Sequence, residues 1–312
     1  MSRNGRVLVG VGGALLFLAG HWAAGGLRAD HGWVAGAGLA AWLAPKKLRP
    51  VAWFIAPLLI MGVIYDAQSY WAGDLRGTVR VAEPHAWELA WFGISTPAGD
   101  ITPAAWWQTR TRAWLDVICG AAYLGFVPVF IGAAAWWRFR ERQVDAQDVM
   151  WAMLWLNLAG YVTYLIYPAA PPWYVDRYGF GPAVLDAPPE AAGAARFDAL
   201  LGVSWFAEFY GRNTNIFGAI PSLHVGQSFL GVLYAWRFRS LRVMLTLFWA
   251  VVTFGSVYLN HHYLVDGFVG VVFATAAFGA MIGWRRMREG AVETSLPASR
   301  HGGREISALR PR

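Results

Sequence analysis

Residues 241–284, LRVMLTLFWAVVTFGSVYLNHHYLVDGFVGVVFATAAFGAMIGW, hold two apolar runs joined by the polar stretch NHHYLVD. Each run is long enough to cross a bilayer, for which about 20 residues are needed. A chain that spans lipid hides its polar groups, so His261, His262 and Asp266 at the edge of such a run are site candidates by default. The pattern recurs at FGAIPSLH, residues 217–224, where His224 opens another apolar run.

The composition points the same way. The chain is 57% hydrophobic and 14% charged, with a mean hydropathy of +0.37; a soluble domain carries roughly 25% charged residues. Its apolar residues come in blocks rather than one-sided stripes, which predicts an all-α, polytopic integral membrane bundle. About eight spans are expected, near residues 7–27, 32–45, 51–71, 113–137, 149–168, 220–236, 241–260 and 263–284. Nineteen tryptophans suit a protein with two bilayer interfaces to anchor. The single cysteine, Cys119, excludes an internal disulfide framework and a multi-cysteine metal site.

A net charge of +7 invites a nucleic-acid reading, but its distribution opposes one. Eighteen of the 26 Arg and Lys residues fall in alternate connections and at the two ends, including KKLR at 46–49, RFRER at 138–142 and RFRSLR at 237–242. The opposite connections hold eight. This is the positive-inside pattern, and it predicts cytoplasmic termini. The second run, about 14 residues, is short for a span and can instead be re-entrant. The first run is taken as a span and not a cleaved leader, because no small-x-small site followed by polar sequence succeeds it.

Two long connections, 72–112 and 169–219, are predicted on the outer side, and loops of that length usually have work to do. Within the second, residues 191–210 are expected to form a helix lying in the interface, with Trp205, Phe206 and Phe209 toward lipid. The polar tail from Glu289 is expected to be disordered. His224, the His262–Asp266 pair and YPAAPPWY at 167–174 all fall at the outer face in this topology.

His262 and Asp266 are four apart, on one face of a helix one turn apart. A carboxylate placed there can take the hydrogen of one imidazole nitrogen and leave the other as a lone pair facing substrate. A polar pair that merely stabilises a helix end has the same spacing. In AIPSLH, Pro221 suits the first turn of a helix. The unpaired backbone N–H groups there, with the Ser222 hydroxyl, make an anion site beside His224. Two histidines around an anion pocket suit phosphoryl transfer, one attacking phosphorus and the other protonating the departing oxygen.

PSLH followed by SVYLNHHYLVDGFVG resembles the second and third signature motifs of the type 2 phosphatidic acid phosphatase superfamily. The leucine of PSLH, YPAAPPWY with its Pro171–Pro172 pair, and EPHAWELAWFG at 83–93 are similar to the inositol phosphorylceramide synthase branch. The resemblance covers roughly residues 50–285. It implies a catalytic membrane domain with a six-helix core (51–285); the runs before it are expected to form an N-terminal membrane hairpin (1–50), and the residues after it a disordered cytoplasmic tail (286–312). It further implies His262 as nucleophile, Asp266 as its orienting partner and His224 as general acid and base. Pro221, Ser222, Tyr263, Pro171 and Pro172 would contact substrate. His262 is preferred to His261 because HYxxD is the family pattern. The superfamily's Lys-x6-Arg-Pro motif, which supplies phosphate-binding cations, has no counterpart here, since KKLRP has the wrong spacing. Arg212 is the first candidate for the missing cation and Arg177 the second.

Other polar residues have open readings. Asp66 and Asp116 would line a headgroup cavity or join helices. His85 and Glu88 would contact substrate, and His21 and His31 would be interfacial. The function expected is transfer of a phosphate-containing headgroup from a phospholipid or lipid-phosphate donor to a lipid or polyol hydroxyl at the outer face. Neither metal nor cofactor is expected. The rivals are a lipid phosphate phosphatase, with water as acceptor, and a transporter; the lack of an inverted repeat and the gathering of polar residues at one face disfavour the latter.

Overall fold

The structure, a computed structural model, describes residues 2–143, 145–211 and 215–295. Every one of the eight apolar runs is helical. The helices are α1 (Arg3–Ala23), α2 (Ala29–Leu43), α3 (Arg49–Leu75), α4 (Ala82–Phe92), α5 (Pro103–Gln108), α6 (Ala113–Ala135), α7 (Ala146–Ile166), α8 (Pro172–Tyr178), α9 (Ala195–Leu201), α10 (Trp205–Tyr210), α11 (Leu223–Phe238), α12 (Arg242–Tyr258) and α13 (Leu264–Ser295). A two-stranded hairpin, β1 (Ile94–Thr96) against β2 (Gly99–Ile101), pairs Ile94 with Ile101.

Among the described residues, five helices are long and apolar enough to cross a membrane: α1, α3, α6 with its continuation to Arg140, α7 and α13. The protein is a multi-pass membrane protein. The other three predicted runs, α2, α11 and α12, are shorter, at 15, 16 and 17 residues. Helix α11 is short because it starts inside the bundle. It packs among α6, α7, α12 and α13, and its apolar face joins Phe130, Trp137, Met150, Met153, Leu245 and Ala274 in the main core.

α11 and α13 run parallel with a constant offset of 44 residues. Ser222 N–H donates to the Asp266 carbonyl at 2.9 Å, Gly226 faces Gly270, and the Tyr234 ring meets the Phe278 ring edge-on at 5.0 Å. Glycine makes this approach feasible. A Cβ on Gly270 would stand 2.4 Å from the Ser222 carbonyl oxygen, and one on Gly226 would stand 2.9 Å from that of Gly270. Small residues let helix backbones close up in a membrane. Here the closure brings the PSLH and HHYLVD motifs to the same end of the bundle.

The long connections brace that end. Residues 168–170 lie extended between two segments: Arg80 N–H donates to Pro168 at 2.8 Å, and Ala169 N–H donates to Phe217 at 2.8 Å. The Ala169 carbonyl in turn accepts from Ala219 N–H at 3.3 Å. The chain just before PSLH is thus held by YPAAPPWY. Arg196 on α9 bridges to Asp116 on α6 at 2.7 Å, to Gln108 at 3.1 Å and to the Tyr258 carbonyl at 3.2 Å.

Several expectations are corrected. Residues 191–210 are not one interfacial helix: α9 ends at Gly202, whose φ of +66° is left-handed, and α10 starts anew at Trp205. Trp205 and Phe209 are exposed, but Phe206 is buried among Phe197 and Tyr210. The stretch from Glu289 to Ser295 continues α13 instead of opening a disordered tail; the rest of that tail lies outside the described residues. His21 and His31 are buried within the protein, with rings stacked at 3.8 Å. Asp66 and Asp116 turn out to join elements: Asp116 pairs with Arg196, and Asp66 takes hydrogen bonds from Arg28 and from His31 Nε2–H.

Candidate active site

The start of α13 carries its own orienting groups. The Asp266 Oδ2 atom accepts from Tyr263 N–H at 2.9 Å and lies 3.3 Å from His262 Nδ1. A hydrogen on that nitrogen serves the carboxylate, which leaves His262 Nε2 with its lone pair. Nε2 points at His224, whose Nδ1 is 3.4 Å away. His224 is held in turn by Tyr123, whose hydroxyl is 3.0 Å from Nδ1 and whose ring stacks on the imidazole at 4.0 Å. Asp266 and Ser222 are fully buried, and His262 is 6% exposed.

His261 has a different place. It is sandwiched between Tyr123 and Tyr210, with ring centroids at 5.4 and 4.5 Å. Burial pushes its pKa down to about 3, so it stays neutral. The neighbouring histidines, both in the connection between α12 and α13, therefore face different surroundings.

Ser222 is the N-cap of α11. Its Oγ accepts from Val225 N–H at 3.4 Å. Pro221 therefore lies one residue ahead of the cap and not in the first helical turn; its carbonyl accepts from the Tyr164 hydroxyl at 2.9 Å. The N–H groups of Leu223 and His224 begin the helix and have no intrahelical partner, which leaves an anion-favouring start. His224 and His262 line a cavity of about 270 Å³ with Gln68, Asn157, Tyr164, Tyr210 and Gln227.

The other predicted residues lie around this centre. Pro171 caps α8 and Pro172 opens it. Both are buried, and neither lines the His224–His262 cavity. Their helix instead supports the approach to the histidines: Trp173 N–H donates to the Asn260 carbonyl at 3.2 Å, and Asn260 Nδ2 donates to Asp176 at 2.8 Å. Tyr263 is buried, and the His85 ring meets it edge-on at 6.1 Å. Arg177 pairs with Glu190 on the surface. Arg212 lies outside the described residues.

Glu88 gains a clear place. It is fully buried, and its two carboxyl oxygens accept from the N–H groups of Leu264 at 3.0 Å and Val265 at 3.1 Å. It thereby closes the N-terminus of the helix that carries Asp266. Burial raises its pKa to about 7. Because its partners are 176 residues away, no spacing in the sequence announces this contact.

The chain matches the PAP2 superfamily over residues 99–280, more than half of its length. It belongs to that superfamily. The phosphoinositol dihydroceramide synthase of Bacteroides thetaiotaomicron is 33% identical over 263 residues, covering 83% of this chain and 84% of that protein. The inositol phosphorylceramide synthase catalytic subunit of Saccharomyces cerevisiae is 31% identical over 225 residues, 71% of this chain; the match spans only 54% of the yeast protein. The inositol phosphorylceramide synthase of Candida albicans is 33% identical over 173 residues, 54% of this chain and 36% of that one. No solved structure matches the chain at a significant level. The superfamily match takes in α5 to α12 and the first half of α13, and therefore both histidine motifs. The protein is a membrane enzyme of this superfamily.

One further cluster has metal-ligand chemistry. Ligand atoms of His21, His31 and Asp66 lie within 4.8 Å of one another. Their hydrogen bonds, however, are already committed. His31 Nδ1 accepts from Arg28 N–H at 3.1 Å, so Nε2 carries the hydrogen and donates it to Asp66 at 2.9 Å. A metal on that Nε2 would require moving the hydrogen to Nδ1, against the Arg28 N–H. The Arg28 guanidinium already neutralises the carboxylate. These residues fit an interhelical lock of α1, α2 and α3 better than a metal centre.

Proposed function

We propose that the protein transfers a phosphoinositol-type headgroup from a phospholipid to the hydroxyl of a ceramide-type lipid, through a phosphohistidine on His262. One observation carries the reading: His262 has Asp266 on Nδ1 and presents Nε2 to His224 at 3.4 Å, at the wall of a cavity inside the bundle. The substrates named for the Bacteroides and yeast relatives support the choice of headgroup and acceptor.

In the first step the donor phosphate enters beside the α11 start and displaces the direct contact between the rings. The Nε2 lone pair of His262 forms a bond to phosphorus, the P–O bond to diacylglycerol breaks, and His224 supplies the proton that the departing alkoxide takes up. Asp266 stabilises the positive charge that develops on the His262 ring. In the second step His224 removes the proton of the acceptor hydroxyl. The resulting oxygen attacks phosphorus, the P–N bond breaks, and His262 returns to its starting form. Atoms and charge balance without an oxidant or a metal.

We place the site on the extracytoplasmic side, with both termini cytoplasmic. The concentration of Arg and Lys in the connections at the other end of the bundle supports this orientation. The test is lipid mass spectrometry of cells with and without the protein. A new inositol-phosphate-bearing sphingolipid is expected; dephosphorylated lipid and free phosphate alone would replace transfer with hydrolysis.

A further inference from the structure

One turn along α11 from His224 the cavity holds three buried amides. Gln68 of α3, Asn157 of α7 and Gln227 of α11 are all at most 3% exposed. Their hydrogen bonding has a direction. Asn157 Nδ2 donates to the Met153 carbonyl at 2.8 Å, so its Oδ1 is the acceptor, and it takes Gln227 Nε2–H at 2.7 Å. The Gln227 Oε1 atom is thereby left as an acceptor, and it has no partner among the described residues. Nε2 of Gln68 has none either. Buried polar groups are almost always paired, and an orphan calls for an explanation. Both side chains line the cavity that contains His224 and His262.

We propose that this cavity is the acceptor-lipid pocket, and that Gln227 and Gln68 read a secondary amide on the acceptor. The inference rests on the transfer reading for the acceptor's role and adds how its class is chosen. Gln227 Oε1 accepts the amide N–H of the ligand, and Gln68 Nε2 donates to its carbonyl. The class is an N-acylated amino alcohol, in which the amide stands on the carbon next to the one bearing the reacting hydroxyl. That short separation matches side chains one helical turn apart, His224 for the hydroxyl and Gln227 for the amide. A diacylglycerol brings ester carbonyls, which only accept, and would leave Gln227 Oε1 unpaired. Met61, Phe126, Val127 and Leu223 provide apolar wall for the hydrocarbon chains.

The experiment measures binding to the purified full-length protein in detergent, with no donor present. The probes are a fluorescent N-hexanoyl sphinganine and the matched hexanoyl diacylglycerol. Wild type is expected to prefer the amide lipid by roughly 10- to 100-fold, the range set by one unpaired buried acceptor. In Gln227→Leu that preference falls to near parity, through weaker binding of the amide lipid; Gln68→Leu, which removes a donor that either carbonyl can meet, weakens both lipids and keeps the preference. A wild type without preference, or a preference kept in Gln227→Leu, overturns the proposal. The wild-type comparison stands even if a variant does not fold. Selective binding by a protein that transfers no headgroup would uphold the pocket and remove the transfer reading alone.

Discussion

His262 Nε2 and His224 Nδ1 lie 3.4 Å apart, although 38 residues separate them in the chain. What joins them is the parallel packing of α11 against α13, where Gly226 and Gly270 allow backbone to meet backbone. The pair is one reaction centre in the proposed mechanism, and its two members should fail in different ways.

His262→Ala should reduce headgroup transfer by roughly 10⁴-fold or more, the scale for loss of a nucleophile. His224→Ala should cost roughly 10²- to 10⁴-fold, the usual worth of a general acid–base group. Peptide mass spectrometry after a rapid acid-free quench should find an inositol-phosphoryl group on His262 in wild type and none in His262→Ala. Phosphorylation on another residue would reassign the nucleophile.

Asp266→Asn should keep the fold yet lower kcat by roughly 10²- to 10⁴-fold, because an amide neither fixes the His262 tautomer nor balances the imidazolium. Donor KM should change little. A proportional loss of folded protein, seen by size exclusion, would instead assign Asp266 to packing.

Glu88 makes stability depend on pH. Its pKa is about 7 in the fold against an ordinary 4.5, so between these values the folded protein holds a proton that the unfolded chain releases. The stabilisation is complete below about pH 4.5 and is lost as pH rises through about 7, amounting to at most about 3 kcal/mol. Glu88→Gln removes this titration. Thermal unfolding in one detergent from pH 5 to pH 8, about the range of interest, should show wild type losing ground to the variant. A constant difference between the two would rule out a buried, titrating Glu88.

Gly270→Val should separate α11 from α13, since even a Cβ would press on the Ser222 carbonyl. A destabilisation of about 1–3 kcal/mol is expected for such overpacking, together with a larger loss of transfer, because the two histidine motifs ride on these helices. Unchanged transfer would show that the close approach is not needed for the site.

Vanadate at millimolar concentration should compete with the donor phospholipid, and EDTA should leave turnover intact. Both outcomes follow from charge stabilisation by histidine and a helix start. Activity lost in EDTA and restored by a divalent cation would overturn the metal-free mechanism.

The sequence by itself determined the membrane class, the helical runs and the two motifs that hold the histidines. Periodicity and hydropathy are local properties, and a carboxylate four residues from an imidazole is a local geometry; both can be read along the chain. His262 and Asp266 were visible for that reason, as was the special character of PSLH. The tertiary structure alone decided which distant groups serve these residues. Glu88 reaches α13 from 176 positions away, Tyr123 meets His224 across 101, and Arg196 claims Asp116 across 80. His21 and His31, which look like interface residues in sequence, became part of an interhelical lock because three helices converge on Asp66. Lone amides inside apolar runs were the available sign of Gln68, Asn157 and Gln227. Which of their atoms stay unpaired depends on how α3, α7 and α11 pack, and hydrogen-bond direction across helices leaves no trace in residue spacing.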